Sequence, residues 1–202
     1  MAKLDRDFEI GYARETSKIL PILAETFREL GFADNFRTLT NRKNVTFFRD
    51  NELSVVSNLR YDQIYSEHNN DNPIASNAYC IFPEHNFGTG LAFVRTGLIH
   101  SVLVSALHEF GHLLGKPLDE FSNEEAKAYA FSRAGANIIA SGNIEGLGRR
   151  VLEAVNIRPS EKEYPDHHMA HGFVANLVEQ GMNPMELYEM LCKKSICVSD
   201  SF

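Results

Sequence analysis

Cysteine is scarce and odd in number: Cys80, Cys192 and Cys197 are the only three in 202 residues. Such a set excludes a disulfide framework and points to a reducing compartment, the cytoplasm. Long apolar runs are missing as well. No stretch approaches the roughly 18 consecutive apolar residues of a membrane span, so no membrane association is expected. Basic residues are outnumbered, 20 Lys and Arg against 27 Asp and Glu, for a net charge of −7. A field of that sign repels phosphate backbones and argues against nucleic acid as a partner. The first dozen residues, MAKLDRDFEIGY, carry charge where a secretory signal needs an apolar core. No export signal is therefore expected, and release as an effector would need another route. Tryptophan is absent, which excludes nothing. No internal repeat or low-complexity tract interrupts the chain.

What is present is ordinary globular material, 44% hydrophobic and 23% charged. The length suits one compact domain. It divides into an N-terminal helix and sheet (1–97), a pair of central helices (98–140) and a helical remainder (141–202). Residues 7–30 have apolar side chains at three- and four-residue steps (Ile10, Ile19, Leu20, Leu23, Phe27, Leu30), a helical period. Pro21 marks a kink or a second start, and Gly31 a C-cap. Val45–Phe48 and Leu53–Val56 flank the turn-prone Asp50-Asn51 and predict a hairpin. Ala78–Phe82 and Leu91–Val94 are further strand candidates, and the tract from Ser66 to Pro73 is a loop. The strongest helix is Leu98–Leu114, with Thr96 as a candidate cap. A second helix follows over residues 123–140, with Ser122 or Asn123 as N-cap. Shorter helices are expected near 145–155, 167–180 and 184–193, the last opened by Asn183-Pro184. The fold class these patterns predict is α+β: a small, mostly antiparallel sheet on an active-site helix, then a helical C-terminal half.

One motif carries chemistry. His108-Glu109-Phe110-Gly111-His112 is an H-E-x-x-H sequence inside the strongest helix. Residues i and i+4 share a helix face, so two imidazoles can converge on one ion, a zinc ion in the commonest case. Glu109 sits beside the first of them, placed to take a proton from water at the metal without being a ligand. A chance match in a chain of this length is expected at roughly the 1% level. Leu107, Phe110, Leu113 and Leu114 bury one side of the motif, and two histidines and a glutamate so placed need a partner, which a divalent cation supplies. A third ligand must come from nearby. The candidates are the acidic start of the next helix, Glu124-Glu125, and Asp119.

The motif His108–His112, followed by a helix reading Glu125-x-x-Ala128-Tyr129-x-Phe131, resembles the gluzincin metallopeptidases. Within them it is most similar to the ImmA/IrrE-type branch. The resemblance spans roughly Val102 to Ala134. It implies a zincin-like fold with His108, His112 and Glu125 as metal ligands, Glu109 as general base, and Ala128 permitting close approach of the two helices. Glu124 fits the pattern less well, because Lys127 then takes the small position. The chain departs from the branch twice: the gap from His112 to Glu125 is short, and Tyr129 stands where relatives often place Asn or Asp to steady a ligand histidine. The residue that steadies those histidines must come from elsewhere. A metzincin-like reading places the third ligand at position 118. That is Leu118, which cannot coordinate, with Asp119 one residue late.

An intact site implies hydrolysis of a protein or peptide substrate by metal-activated water, with Glu109 shuttling the proton. By analogy with zincins, the peptide lies extended along a sheet edge, for which Leu91–Val94 is the candidate. A donor for the developing oxyanion is sought among Tyr164, His167, His168 and His171, with His171 and Tyr164 preferred. His167 and His171 also have metal-binding spacing, although no carboxylate pattern accompanies them. Cys192 and Cys197 read as ordinary thiols. The rival reading is a regulatory or effector protein of the ImmA/IrrE type with narrow or vestigial proteolysis, or a structural metal site. The oligomeric state is not written in these patterns.

Overall fold

The computed structural model describes residues 18–39, 45–48, 78–81, 91–95 and 98–201. The elements are a helix over 18–29 (α1), α2 (Ala33–Leu39), strands β1 (Val45–Phe48), β2 (Ala78–Ile81) and β3 (Leu91–Arg95), then α3 (Ile99–Leu113), α4 (Phe121–Ser141), α5 (Gly148–Val155), α6 (Pro165–Glu179) and α7 (Pro184–Cys192). Short 3-10 turns lie at Ile144–Gly146 and Val198–Ser201.

The expected α+β architecture is corrected here: the described residues are mostly helical. Among the described residues, strand is confined to three pieces of four or five residues in the order β1-β3-β2. Nor is their pairing mostly antiparallel, since β1 runs parallel to β3 and only β2 runs antiparallel to it. Two physical reasons account for the difference. An apolar run of four residues carries no information about the direction of its partner. And α4, 21 residues long and rich in alanine, packs against α1, α3, α5, α6 and α7, so helix dominates the packing. The expected strand at 53–56, and with it the hairpin, lies outside the described residues, as do the loop at 66–73 and Thr96. Among the described strands β3 is central, which removes it as the edge for an extended peptide; β2 holds an edge position.

The core is built where the helical period predicts. Val102, Leu103, Ala106, Leu107 and Phe110 form the buried face of α3. Phe27 of α1 stands edge-on to Phe110 and Phe131, with ring centroids 5.5 Å away in each case. Each such fully buried aromatic contributes about 1.5–3 kcal/mol. Helix α1 closes with Gly31 at φ +83° and a Phe32 N–H to Phe27 carbonyl bond, the left-handed cap expected there. Helix α4 starts at Phe121 without a side-chain cap, two residues ahead of the expected start. Asn123 is used differently: its Oδ1 accepts from Val198 N–H at 2.7 Å and ties down the C-terminal turn. Asn183 does cap α7, accepting from Met185 and Glu186 N–H.

The contact that positions the site is between α3 and α4. A Cβ placed on Gly111 would come 2.8 Å from Ala128 Cα, so the two helices meet there backbone to backbone. Gly111→Ala sets a gain of about 1 kcal/mol in helix propensity against overpacking of about 1–3 kcal/mol, and backbone cannot swing aside as a side chain can. The expected result is a net loss of about 1–2 kcal/mol, a fall of a few degrees in melting temperature. Gly135→Ala is the control, because its Cβ presses first on the terminal methyls of Leu107. A Gly111→Ala protein melting at or above the parent would rule out the close contact.

Candidate metal centre

Helix geometry puts His108 and His112 one turn apart on the α3 surface that faces α4. Their Nε2 atoms are 3.3 Å apart. The Glu125 carboxylate comes up from just past the first turn of α4, with Oε2 at 3.1 Å from His108 Nε2 and Oε1 at 3.5 Å from His112 Nε2. Two donors held tetrahedrally at about 2.0–2.1 Å from an ion sit about 3.3–3.4 Å apart. The three separations bracket that value, so these residues fit a small divalent cation. The chemistry of the set agrees, because imidazole nitrogens and a carboxylate oxygen are the donors a divalent cation of this kind takes.

The residue that steadies His112 is Glu124. Its Oε1 accepts from His112 Nδ1–H at 2.8 Å, which leaves the Nε2 lone pair directed at Glu125 and His108. Glu124 is itself held on both oxygens. Lys127 Nζ is 2.7 Å from Oε1, and Leu118 N–H donates to Oε2 at 2.8 Å. Lys127 is 0% exposed, and its ammonium also donates to the carbonyls of His112 and Lys116, where α3 ends. A buried cation at a helix C-terminus, paired to a carboxylate that orients a histidine, is a complete supporting unit. The adjacent acids Glu124 and Glu125 thus divide the work, one facing the other donors and one standing behind His112.

Electrostatics follow from burial and neighbours. Burial alone would raise the Glu125 carboxyl, but His112 and the bonds from His108 and His167 outweigh it and hold the group well below the ordinary range. Glu124 is likewise lowered against its burial, by His112 and Lys127. Glu109 is different. Burial lifts its carboxyl to about 7, with Glu125 reinforcing the rise and His112 opposing it. A carboxyl poised near neutrality can both take and return a proton. The Cys80 thiol of β2 hydrogen-bonds to it, and the ligating atoms of Cys80, Glu109 and His112 all lie within 4.8 Å of one another.

The remaining candidates separate cleanly. Asp119 is at the surface, its side chain 86% exposed and paired with Lys194. Tyr164 is exposed and touches only the outer side of the site, through the His167 ring. His171 turns away, its Nε2–H donating to the Val155 carbonyl at 3.1 Å, and His168 Nδ1 bonds to the Pro159 carbonyl. Of the histidines on α6, His167 reaches the donor set: Nδ1 is 2.9 Å from Glu125 Oε2 and 3.3 Å from the Tyr129 hydroxyl. Tyr129, placed where a steadying Asn or Asp was looked for, packs its ring 4.5 Å from that of His108. Sequence reasoning missed Glu124's supporting part, Cys80 and Gly111. For Glu124 a signal existed in the Glu124/Lys127 pair at i, i+3. For Cys80 none did, because strand β2 lies 28 residues ahead of the motif.

No helix among the described residues is long and apolar enough to cross a membrane. Comparison with protein-family models, with curated proteins and with solved structures returned no match for this chain.

Proposed function

We propose that the chain is a zinc-dependent hydrolase of peptide bonds, acting in the cytoplasm on a protein or peptide substrate. The observation that carries this reading is the convergence of His108 Nε2, His112 Nε2 and the Glu125 carboxylate at separations suited to one cation. The H-E-x-x-H motif and its resemblance to gluzincins of the ImmA/IrrE type lend it support. A zinc ion in such a set polarises a carbonyl and acidifies water. The protein's own contribution is then specific. Glu109, buried and poised near neutrality, accepts a proton from the attacking water and delivers it to the leaving amine. Glu124 and Lys127 keep His112 in the tautomer that presents Nε2. His167, 31% exposed at the rim, is the donor within reach of a developing oxyanion. Among the described strands β2 lies at an edge and carries Cys80 near Glu109, a strand with which an extended peptide can pair.

One observation favours a second reading, a structural metal centre. Cys80, Glu109 and His112 offer ligating atoms within 4.8 Å of one another, a second group of donors beside the first, and a metal held by protein donors alone has no position for water. Metal analysis of the purified protein, with two variants, separates the readings. The parent is expected to hold close to one zinc per chain, and His108→Ala to hold none. Under the catalytic reading Cys80→Ser keeps the zinc. Loss of zinc from Cys80→Ser would favour the structural centre, and a parent that binds no divalent ion would defeat both.

A further inference from the structure

Among the described residues four large apolar side chains are exposed: Leu98, Phe121, Ile157 and Tyr164. Two of the four meet at one place. Phe121, the first residue of α4, is 57% exposed, and Tyr164, the residue before α6, is 46% exposed. Their ring centroids lie 5.7 Å and 5.8 Å from that of His167. Both rings stand nearly perpendicular to the imidazole, at 78° and 80°. His167 is also the residue whose Nδ1 lies 2.9 Å from Glu125 Oε2. The two exposed rings are therefore continuous with the metal donors, one imidazole away from them.

The fold does not account for them. Neither ring belongs to the hydrophobic core or packs against it. Neither helix start uses them either: α4 and α6 begin without a side-chain cap bond. Single exposed apolar residues are ordinary, but two aromatic rings gathered on one histidine beside a polar centre mark a contact surface. Their position says what they contact. Successive residues of an extended peptide are about 3.3 Å apart, so a peptide with one carbonyl at the metal donors brings a neighbouring side chain out to the His167 rim. Aromatic rings select partners by apolar area and by edge-to-face fit, which favours another ring or a large aliphatic group.

We propose, on the hydrolase reading above, that Phe121 and Tyr164 form a specificity subsite for an aromatic or large aliphatic side chain of the substrate, at a residue adjoining the bond to be cut. The occupant covers apolar surface that both rings now leave in water. Neither ring moves a proton. Their part is to hold the peptide so that its carbonyl stays at the donors and within reach of His167.

The test is peptide binding by the full chain, read apart from turnover. The chain contains no tryptophan, so the fluorescence of a tryptophan peptide reports binding without a tryptophan background. Zinc-loaded Glu109→Gln protein is titrated with a blocked hexapeptide of glycine and alanine carrying one central Trp. The same peptide with Phe, Leu or Ala at that position is then used to displace it. Expected are saturable binding, displacement by the Phe and Leu peptides, and an affinity about tenfold or more lower for the Ala peptide, as loss of a large buried side chain implies. Phe121→Ala and Tyr164→Ala should each weaken the Trp peptide about three- to tenfold, the range of one aromatic pair, while Phe121→Tyr and Tyr164→Phe stay within about twofold. Both positions lie at the surface, so the variants should keep the parent's zinc content and melting temperature. No saturable binding, an Ala peptide that competes as well as the Phe peptide, or alanine variants that bind like the parent would each overturn the subsite. Zinc content and casein cleavage by the parent are measured alongside. A parent that holds zinc and cuts casein while the peptides show no preference loses the subsite and keeps the hydrolase; a parent without zinc loses both.

Discussion

Glu109→Gln is expected to retain its zinc and to lose hydrolysis by about 10²–10⁴-fold, the range that positioned acid–base groups contribute. The substitution keeps the shape of a side chain that is 5% exposed and removes only its capacity to carry a proton. The donor set does not include it, since the converging atoms belong to His108, His112 and Glu125. The Cys80 thiol can donate to an amide oxygen as it does to the carboxyl, so the local bond survives. Burial already disfavours the charged carboxylate, so a neutral amide costs the fold nothing on that account, and the melting temperature should hold or rise slightly. Three measurements on one preparation decide the matter: metal content, thermal melting, and cleavage of an unstructured labelled protein such as casein. Cleavage within twofold of the parent, with zinc bound and the fold intact, would sink Glu109 as the base.

How far the site could be read from the chain depends on the spacing of its parts. His108 and His112 are fixed by one helical turn, and their convergence is a matter of period alone. Residue type and spacing left Glu125 open against Glu124 and Asp119, and only the gluzincin resemblance singled it out, because a helix start seen in sequence is uncertain by a residue or two and each residue rotates the side chain by about 100°. In the structure α4 begins at Phe121 rather than beyond Ser122, and Glu125 faces the donors while Glu124 stands behind His112. Lys127 could be read as a surface partner of Glu124 but not as a buried ammonium, since burial comes from the end of α3 folding over it. His167 and His171 show the same limit. They share a face on α6 in sequence, yet the carbonyl of Val155, from another helix, captures one and leaves the other to Glu125. The helices of the C-terminal half were legible from caps and period. The sheet was not, because strand order and direction are decided by segments far apart in the chain, and β3 pairs in parallel with a strand more than forty residues away.

The identity of the third ligand gives the other large effect. Glu125→Gln should weaken zinc binding by more than the 10–100-fold that loss of a supporting partner costs, because it removes a carboxylate that approaches both histidines. Glu124→Gln should fall within that 10–100-fold range: the bond to His112 Nδ1 can persist through the amide oxygen, but the charge that makes Nε2 a stronger donor is gone, and Lys127 is left buried beside a neutral group. Asp119→Asn should change zinc affinity by less than about twofold, since its exposed carboxylate faces Lys194, and solvent-exposed pairs of that kind contribute little. Competition against a zinc-chelating dye gives the three affinities on one scale. The order Glu125, Glu124, Asp119 follows from where each oxygen points. If Asp119→Asn lost zinc while Glu125→Gln kept it, the ligand set would have to be redrawn with the third donor arriving from the turn between α3 and α4.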